Sequence, residues 1–159
     1  MIDSVTKYIA YITAFILALL VVLIVYDATA RYLFSSGSTA LQELEWHLYD
    51  VIILLSIAYA LKHNAHVRVD IFYDQFSLKT QTLINIISIV LFILPLSFLI
   101  IYIGFDFVEL SFVQNECSSD PGGLTNRWIV KSLMPLSFAF VALQAISELL
   151  KNFQKWRTL

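Results

Sequence analysis

Four long apolar stretches alternate with three short polar segments along this chain. In the first, residues 9–26, Thr13 is the single plainly polar member. That run exceeds the ~7–15-residue core of a secretory signal. Ala28-Thr29-Ala30 resembles a cleavage site, yet the helical pattern continues through Arg31 to Phe34. The pattern therefore predicts an uncleaved first spanning helix over residues 6–34.

The second apolar stretch lies inside the segment around which the chain is organised, Gln42 to Asp74. An acidic, aromatic cluster (Glu43, Glu45, Trp46, His47, Tyr49, Asp50) opens it. An apolar run from Val51 to Leu61 follows, broken by Ser56, and then a basic segment with His63, His66 and Arg68. A helix over residues 41–62 would be about 33 Å long at ~1.5 Å per residue, matching the ~30 Å hydrocarbon core of a bilayer. Ser35-Ser36-Gly37-Ser38-Thr39 is a loop of turn formers, short enough to force an antiparallel hairpin between the first two spans.

In the connector after Lys62, Val69, Phe72, Tyr73 and Phe76 recur at helical spacing, while Asp70 and Asp74 share another side. This predicts an amphipathic helix at about residues 67–77, lying in the membrane interface. Ser77 then reads as the N-cap of a third span over residues 78–110. Pro95, in the middle of that span, removes a backbone donor and predicts a kink. Residues 111–127 form a polar loop in which Asp120-Pro121-Gly122-Gly123 is a turn signal. The fourth span covers residues 128–150, with Pro135 near its start, and the tail from Lys151 is basic.

Composition moves the whole chain into the membrane. Of its 159 residues, 59% are hydrophobic and 14% charged, against about 45–50% and 25% for a soluble domain. A net charge of -2, with 10 Lys and Arg that form no stripe, excludes nucleic acid as a partner. With a single cysteine, Cys117, an intrachain disulfide is impossible, and so is the chemistry of a four-cysteine thiol oxidant. Basic residues gather at one side: Lys7, Lys62, Arg68, Lys79, Lys151, Lys155 and Arg157. The positive-inside rule then places both termini in the cytoplasm. Glu43, Glu45, Glu109, Glu116 and Asp120 face outward, with Trp46 and Trp128 at the outer interface and Trp156 at the inner one. The expected architecture is a single all-α membrane domain: four transmembrane helices and an interfacial helix between the second and third.

Polar residues within the spans are candidates for function or for internal pairing. Asp27 and Arg31, four apart, fit a structural salt bridge. Asp50 is expected to pair with Lys131 or Arg127 inside the bundle. Lys131, one turn into the fourth span, is expected to meet Glu43 or Glu45 across the second. The three histidines sit at membrane edges, so no metal or haem pair forms. No nucleophile–base arrangement, phosphate loop or paired-cysteine motif occurs, so neither an enzyme nor a resident cofactor is expected. Gly104 is the single glycine inside a span, which predicts weak small-residue packing and a scaffold rather than a self-sufficient carrier.

The ordered motifs carry a resemblance. Arg31-Tyr32-Leu33-Phe34 ends the first span and Glu43-Leu44-Glu45-Trp46 opens the second. His66-Val67-Arg68-Val69-Asp70-Ile71-Phe72-Tyr73 and Ser77 follow, then Trp128, Lys131, Pro135 and Gln144. From about residue 8 to 153 this order resembles the small membrane subunit, DctQ type, of tripartite ATP-independent periplasmic (TRAP) transporters. Many members carry an adjacent Glu-Glu pair where Leu44 here separates Glu43 from Glu45. The resemblance implies a multi-pass subunit of a bacterial or archaeal cytoplasmic membrane that scaffolds a large M-type membrane subunit. That large subunit imports an organic-acid-type solute, usually with sodium, after delivery by a periplasmic substrate-binding protein. Assembly contacts would fall on Arg31, Glu43, Glu45, Trp46, Trp128, Lys131 and Pro135, with His66, Arg68 and Asp70 fixing the cytoplasmic connector. Two other classes stay open on the residues alone: a self-assembling proton-coupled exporter centred on Asp50, and a membrane anchor of a redox complex.

Overall fold

The computed structural model describes residues 2–63, 73 and 75–158. Four helices dominate it: α1, Ile2–Phe34; α2, Thr39–Lys62; α3, Leu78–Val113; and α4, Trp128–Thr158. All four are long and apolar enough to cross a membrane. Most of the expected interfacial helix over 67–77 lies outside the described residues, as do His66, Arg68 and Asp70. Of its far end, Tyr73 and Phe76 are fastened to α3 by the Gln81 amide, which donates to both backbone carbonyls at 3.1 Å.

The helices alternate in direction. At one end the start of α1 meets the later part of α4 through Thr6 and Gln144, and Lys79 of α3 stands over the Trp156 ring of α4 at 5.7 Å. At the other end the start of α2 meets the segment joining α3 to α4. These are the terminal end and the loop end of the molecule.

Local chemistry sets the helix boundaries. The Ser38 hydroxyl accepts from the Leu41 amide at the start of α2, and the Ser77 hydroxyl accepts from the Thr80 amide at the start of α3. Each satisfies one of the orphan donors at a helix N-terminus. Helix α4 runs on past the apolar stretch to Thr158, and its last turns carry Lys155 and Arg157, where cations suit the helix C-terminus.

Helix α4 is the hub. It packs against α1, α2 and α3, while α3 reaches the rest of the described helices chiefly through α4. One third of the most apolar window of α4 is buried, against 11–17% in the other spans. Where α2, α3 and α4 meet, Ala58, Leu61, Ile89, Val141 and Ala145 form the core.

The seams show why the helices fit. On α1 the buried positions are Thr6, Ile9, Thr13, Leu20 and Asp27, with Ile16 and Leu23 half-buried between them. That alternation of three and four residues is the period of a left-handed coiled-coil seam. On α3 the buried line is Thr82, Ile89, Ser97, Gly104 and Ser111. Its spacing is seven residues except from Ile89 to Ser97, where it is eight. The extra residue falls in a π-helical turn, Ile89–Ile93, in which the Leu94 amide bonds the Ile89 carbonyl. The π-turn takes up one residue, keeps the seam facing α4, and lies just ahead of Pro95, whose ring would otherwise press on the preceding turn.

Close packing of small residues is stronger than the glycine count predicts. A Cβ on Gly104 would lie 3.1 Å from the Pro135 side chain. Ser97, Ser111, Ser137, Ala142 and Ala145 are buried with it, so serine and alanine do here what glycine does in other membrane pairs. The buried hydroxyls of Thr82, Ser97 and Ser137 donate to carbonyls of their own helix, which satisfies them without a partner helix.

Gly104→Leu is expected to force α3 and α4 apart and lower stability by about 1–3 kcal/mol, the ordinary cost of overpacking, read as an earlier midpoint in a denaturing-detergent titration. Ser97→Ala, which removes a hydroxyl bonded within its own helix, should move the midpoint far less.

Candidate functional site at the loop end

The loop between α3 and α4 is a built structure. Asp120-Pro121-Gly122-Gly123 closes a turn, with the Gly123 amide donating to the Asp120 carbonyl at 3.0 Å and Gly122 at φ +78°. That is a type II turn, which requires the left-handed conformation at its third residue. Asn115 and Asn126 also adopt positive φ, as asparagine tolerates. The Ser118 amide reaches across to the Leu124 carbonyl at 3.0 Å, and the Arg127 amide to the Glu116 carbonyl at 3.1 Å.

Glu43 fastens this loop to α2. One carboxylate oxygen accepts from the Ser118 hydroxyl, and the other accepts from the Leu124 amide at 2.5 Å. The fit leaves no room at Gly123: a Cβ there would come within 2.5 Å of Ser118 and 2.8 Å of the Glu43 carboxylate. Glycine is required at 123 by a close approach, and at 122 by backbone conformation.

Lys131 closes the other side, but not as the sequence predicts. Its ammonium pairs with Glu116, in the loop, and neither Glu43 nor Glu45 is its partner. The loop folds back over the start of α4 and brings a carboxylate nearer than any on α2. Lys131 also lies over the Phe107 ring at 4.1 Å, and Trp128 meets Phe112 edge to face at 5.4 Å between centroids. The Lys131 hydrogen bond holds the Glu116 carboxyl below the usual carboxylate range.

The remaining candidates take separate places. Arg31 pairs with buried Asp27, as its spacing predicts. Asp50 forms no ion pair with Lys131 or Arg127; instead Asp50 and Arg127 line one cavity of about 390 Å³ with Glu43, Trp46, His47 and Asp120. One oxygen of Glu45 is buried without a hydrogen-bond partner. Trp46, beside it, is 69% exposed. Pro135 is buried against Gly104 and serves the helix core. The sequence reading missed Ser118, Gly123 and Leu124. The turn at 120–123 was visible, but nothing in the sequence says that its flanks close on Glu43. Cys117 is exposed and unpaired with another cysteine.

Beyond this end, large apolar side chains face outward along the helices. Tyr8, Tyr11, Phe15 and Val22 of α1 and Phe92, Phe98, Tyr102 and Phe105 of α3 are all more than half exposed. Among the described residues no three His, Cys, Asp or Glu converge as a metal-ligand set.

The molecule is thus a multi-pass membrane subunit whose polar groups hold its own helices and loop. Residues 20–155 match the family of tripartite ATP-independent periplasmic transporters, DctQ component, and the chain belongs to that family. It is accordingly a transporter component and not an enzyme. Comparison with curated proteins gave no match.

Two outcomes test the clamp. Glu43→Ala and Gly123→Ala should each raise hydrogen exchange at the Leu124 amide about tenfold, since both remove the acceptor or displace it. Because the Glu116 carboxyl is depressed in the folded state, its contribution is full above the ordinary carboxylate range and is lost as pH falls through the lowered value. In a Trp46→Phe, Trp156→Phe background, Trp128 emission should therefore change on acidification, and Lys131→Met should bring that change on already at neutral pH.

Proposed function

We propose that this chain is the small scaffold subunit of a TRAP transporter, with both termini in the cytoplasm of a bacterium or archaeon. It binds and stabilises the large M-type subunit, which carries the substrate and coupling-ion sites. That subunit imports an organic-acid-type solute with sodium, handed over by a periplasmic binding protein. The observation that carries the scaffold reading is the division of polar and apolar surface. Buried Thr6, Gln144 and Ser97 are engaged within the subunit, as is one carboxylate oxygen of Asp27. The outer faces of α1 and α3 are apolar and uncovered, and an apolar face suits a partner helix or lipid, not a solute path.

The orientation draws on Lys7, Lys79, Lys151, Lys155 and Arg157, which stand at the terminal end of the helices. On this reading the loop end faces the periplasm, and Glu45 and Trp46 are the contact residues for the large subunit. Exposed Trp46 would be the anchor of the contact, with Glu45 next to it on α2. Glu43, Lys131 and Trp128 act indirectly, by holding the loop, while Arg31 steadies the end of α1. His66, Arg68 and Asp70 are assigned to the cytoplasmic connector from the family resemblance alone.

A tagged chain drawn from its native membrane in mild detergent should bring down one large, many-spanning protein in stoichiometric amount. Glu45→Ala combined with Trp46→Ala should weaken that recovery while leaving the helical content unchanged. Recovery of the chain alone as a homo-oligomer would overturn the scaffold reading.

A further inference from the structure

At the terminal end, α1 and α2 leave a groove of about 460 Å³ along their contact. Lys7 and His63 stand at its mouth, and Ala10, Ala14, Leu17 and Ile52 line its body. From the geometry we infer that this groove is a binding site for one anionic glycerophospholipid, its phosphate between Lys7 and His63 and an acyl chain along α1 and α2.

Length is the first argument. Lys7 to Leu17 on α1 and His63 to Ile52 on α2 each cover about 15 Å at ~1.5 Å per residue. That is half of the ~30 Å hydrocarbon core, the depth of a single leaflet. The groove therefore has a polar mouth at the interface and an apolar body that ends near the midplane.

Width is the second. Spread over ~15 Å, the volume gives a mean cross-section of ~30 Å², well under the ~80 Å² of a helix some 10 Å across. An acyl chain, at ~20 Å² in section, is narrow enough to lie within it. The small side chains of Ala10, Ala14 and Ser56 line the gap. Neighbouring Tyr11 and Phe15 are exposed on the open side of the groove, a surface suited to hydrocarbon.

Charge is the third. Among the described residues no carboxylate lines the groove, and Lys7 forms no ion pair. His63 is held at the mouth by its ring contact with Tyr59, 4.3 Å between centroids, and by its amide, which caps α2. Lys7 and His63 line the same groove, and a phosphodiester can accept a hydrogen bond from each. Basic pockets between transmembrane helices take anionic headgroups on this principle. The inference does not depend on the identity of the large subunit; it requires that α1 and α2 span a bilayer and that the groove opens to lipid.

The test is native mass spectrometry of the full chain, with any partner that accompanies it, titrated with palmitoyl-oleoyl phosphatidylglycerol or with phosphatidylcholine of the same chains. One tightly held lipid is expected, with the phosphatidylglycerol preferred about fivefold or more. Lys7→Gln with His63→Gln should bring the two lipids to parity, and Ala14→Trp, which fills the groove, should remove the bound lipid of either kind. Helical content by circular dichroism controls for folding. If Ala14→Trp does not fold, the exposed Lys7/His63 pair still decides the matter. Equal binding of both lipids by the unaltered chain would overturn the proposal. So would a bound lipid indifferent to the charge substitutions, or a second copy of the chain in the groove.

Discussion

Helix α4 packs against each of the other three and joins α3 to the α1–α2 pair, and this is possible because α4 is narrow on the sides that meet them. Pro135, Ser137, Ala142 and Ala145 are buried along it, and the α3 side answers with Ser97, Gly104 and Ser111. In a bilayer there is no water to drive apolar faces together, so close contact and interhelical hydrogen bonds decide which helices associate. The approach of Gly104 to Pro135 at van der Waals limits is the tightest expression of that constraint. The π-turn at Ile89–Ile93 serves it as well, because without the extra residue the halves of α3 would present different faces to α4.

Polar contacts finish what small-residue packing begins, and they do so near the two ends. At the terminal end, Thr6 of α1 donates to Gln144 of α4 at 2.7 Å, and the Gln144 amide continues to Glu148 at 2.9 Å, which also receives Lys151. Gln144 is fully buried. An amide left unpartnered there would be costly, so the network fixes which face of α4 turns toward α1. At the loop end, Glu43 and Lys131 bind opposite sides of the same loop. The loop thereby ties α2 to the junction of α3 and α4, although α2 and α3 share no extended packing.

Together these features give a membrane subunit that is rigid where its helices meet and apolar where they do not. A family whose small component accompanies transport has use for such a shape, since a stable apolar flank can be offered to a neighbour without disturbing internal polar groups. The groove between α1 and α2 belongs to the same logic. Where a groove lies between two spans, a lipid chain can supply the missing packing, and the polar groups at the rim select its headgroup.

The four spans, the Ser77 cap, the turn at 120–123 and the Asp27–Arg31 pair were legible in the sequence. Each depends on neighbours within a few residues or on the length of an apolar run, quantities that a linear string preserves. The ordered motifs were legible too, and they led to the family. The partners of Lys131, Glu43 and Gln144 were not. Lys131 was expected to meet Glu43 or Glu45, but the loop's return brings Glu116 closer, and a loop path is settled by backbone conformations at Asn115, Gly122 and Asn126 acting together. The strength of the α3–α4 packing was hidden for a related reason. Serine and alanine are common residues, and they become a seam only when the π-turn and the opposing face of α4 place them in line. The sequence by itself thus determined that the chain forms four helices long and apolar enough to cross a bilayer, and which residues are polar enough to matter. Tertiary structure decided which of those residues meet, because partner choice rests on distances between segments that the order of residues does not encode.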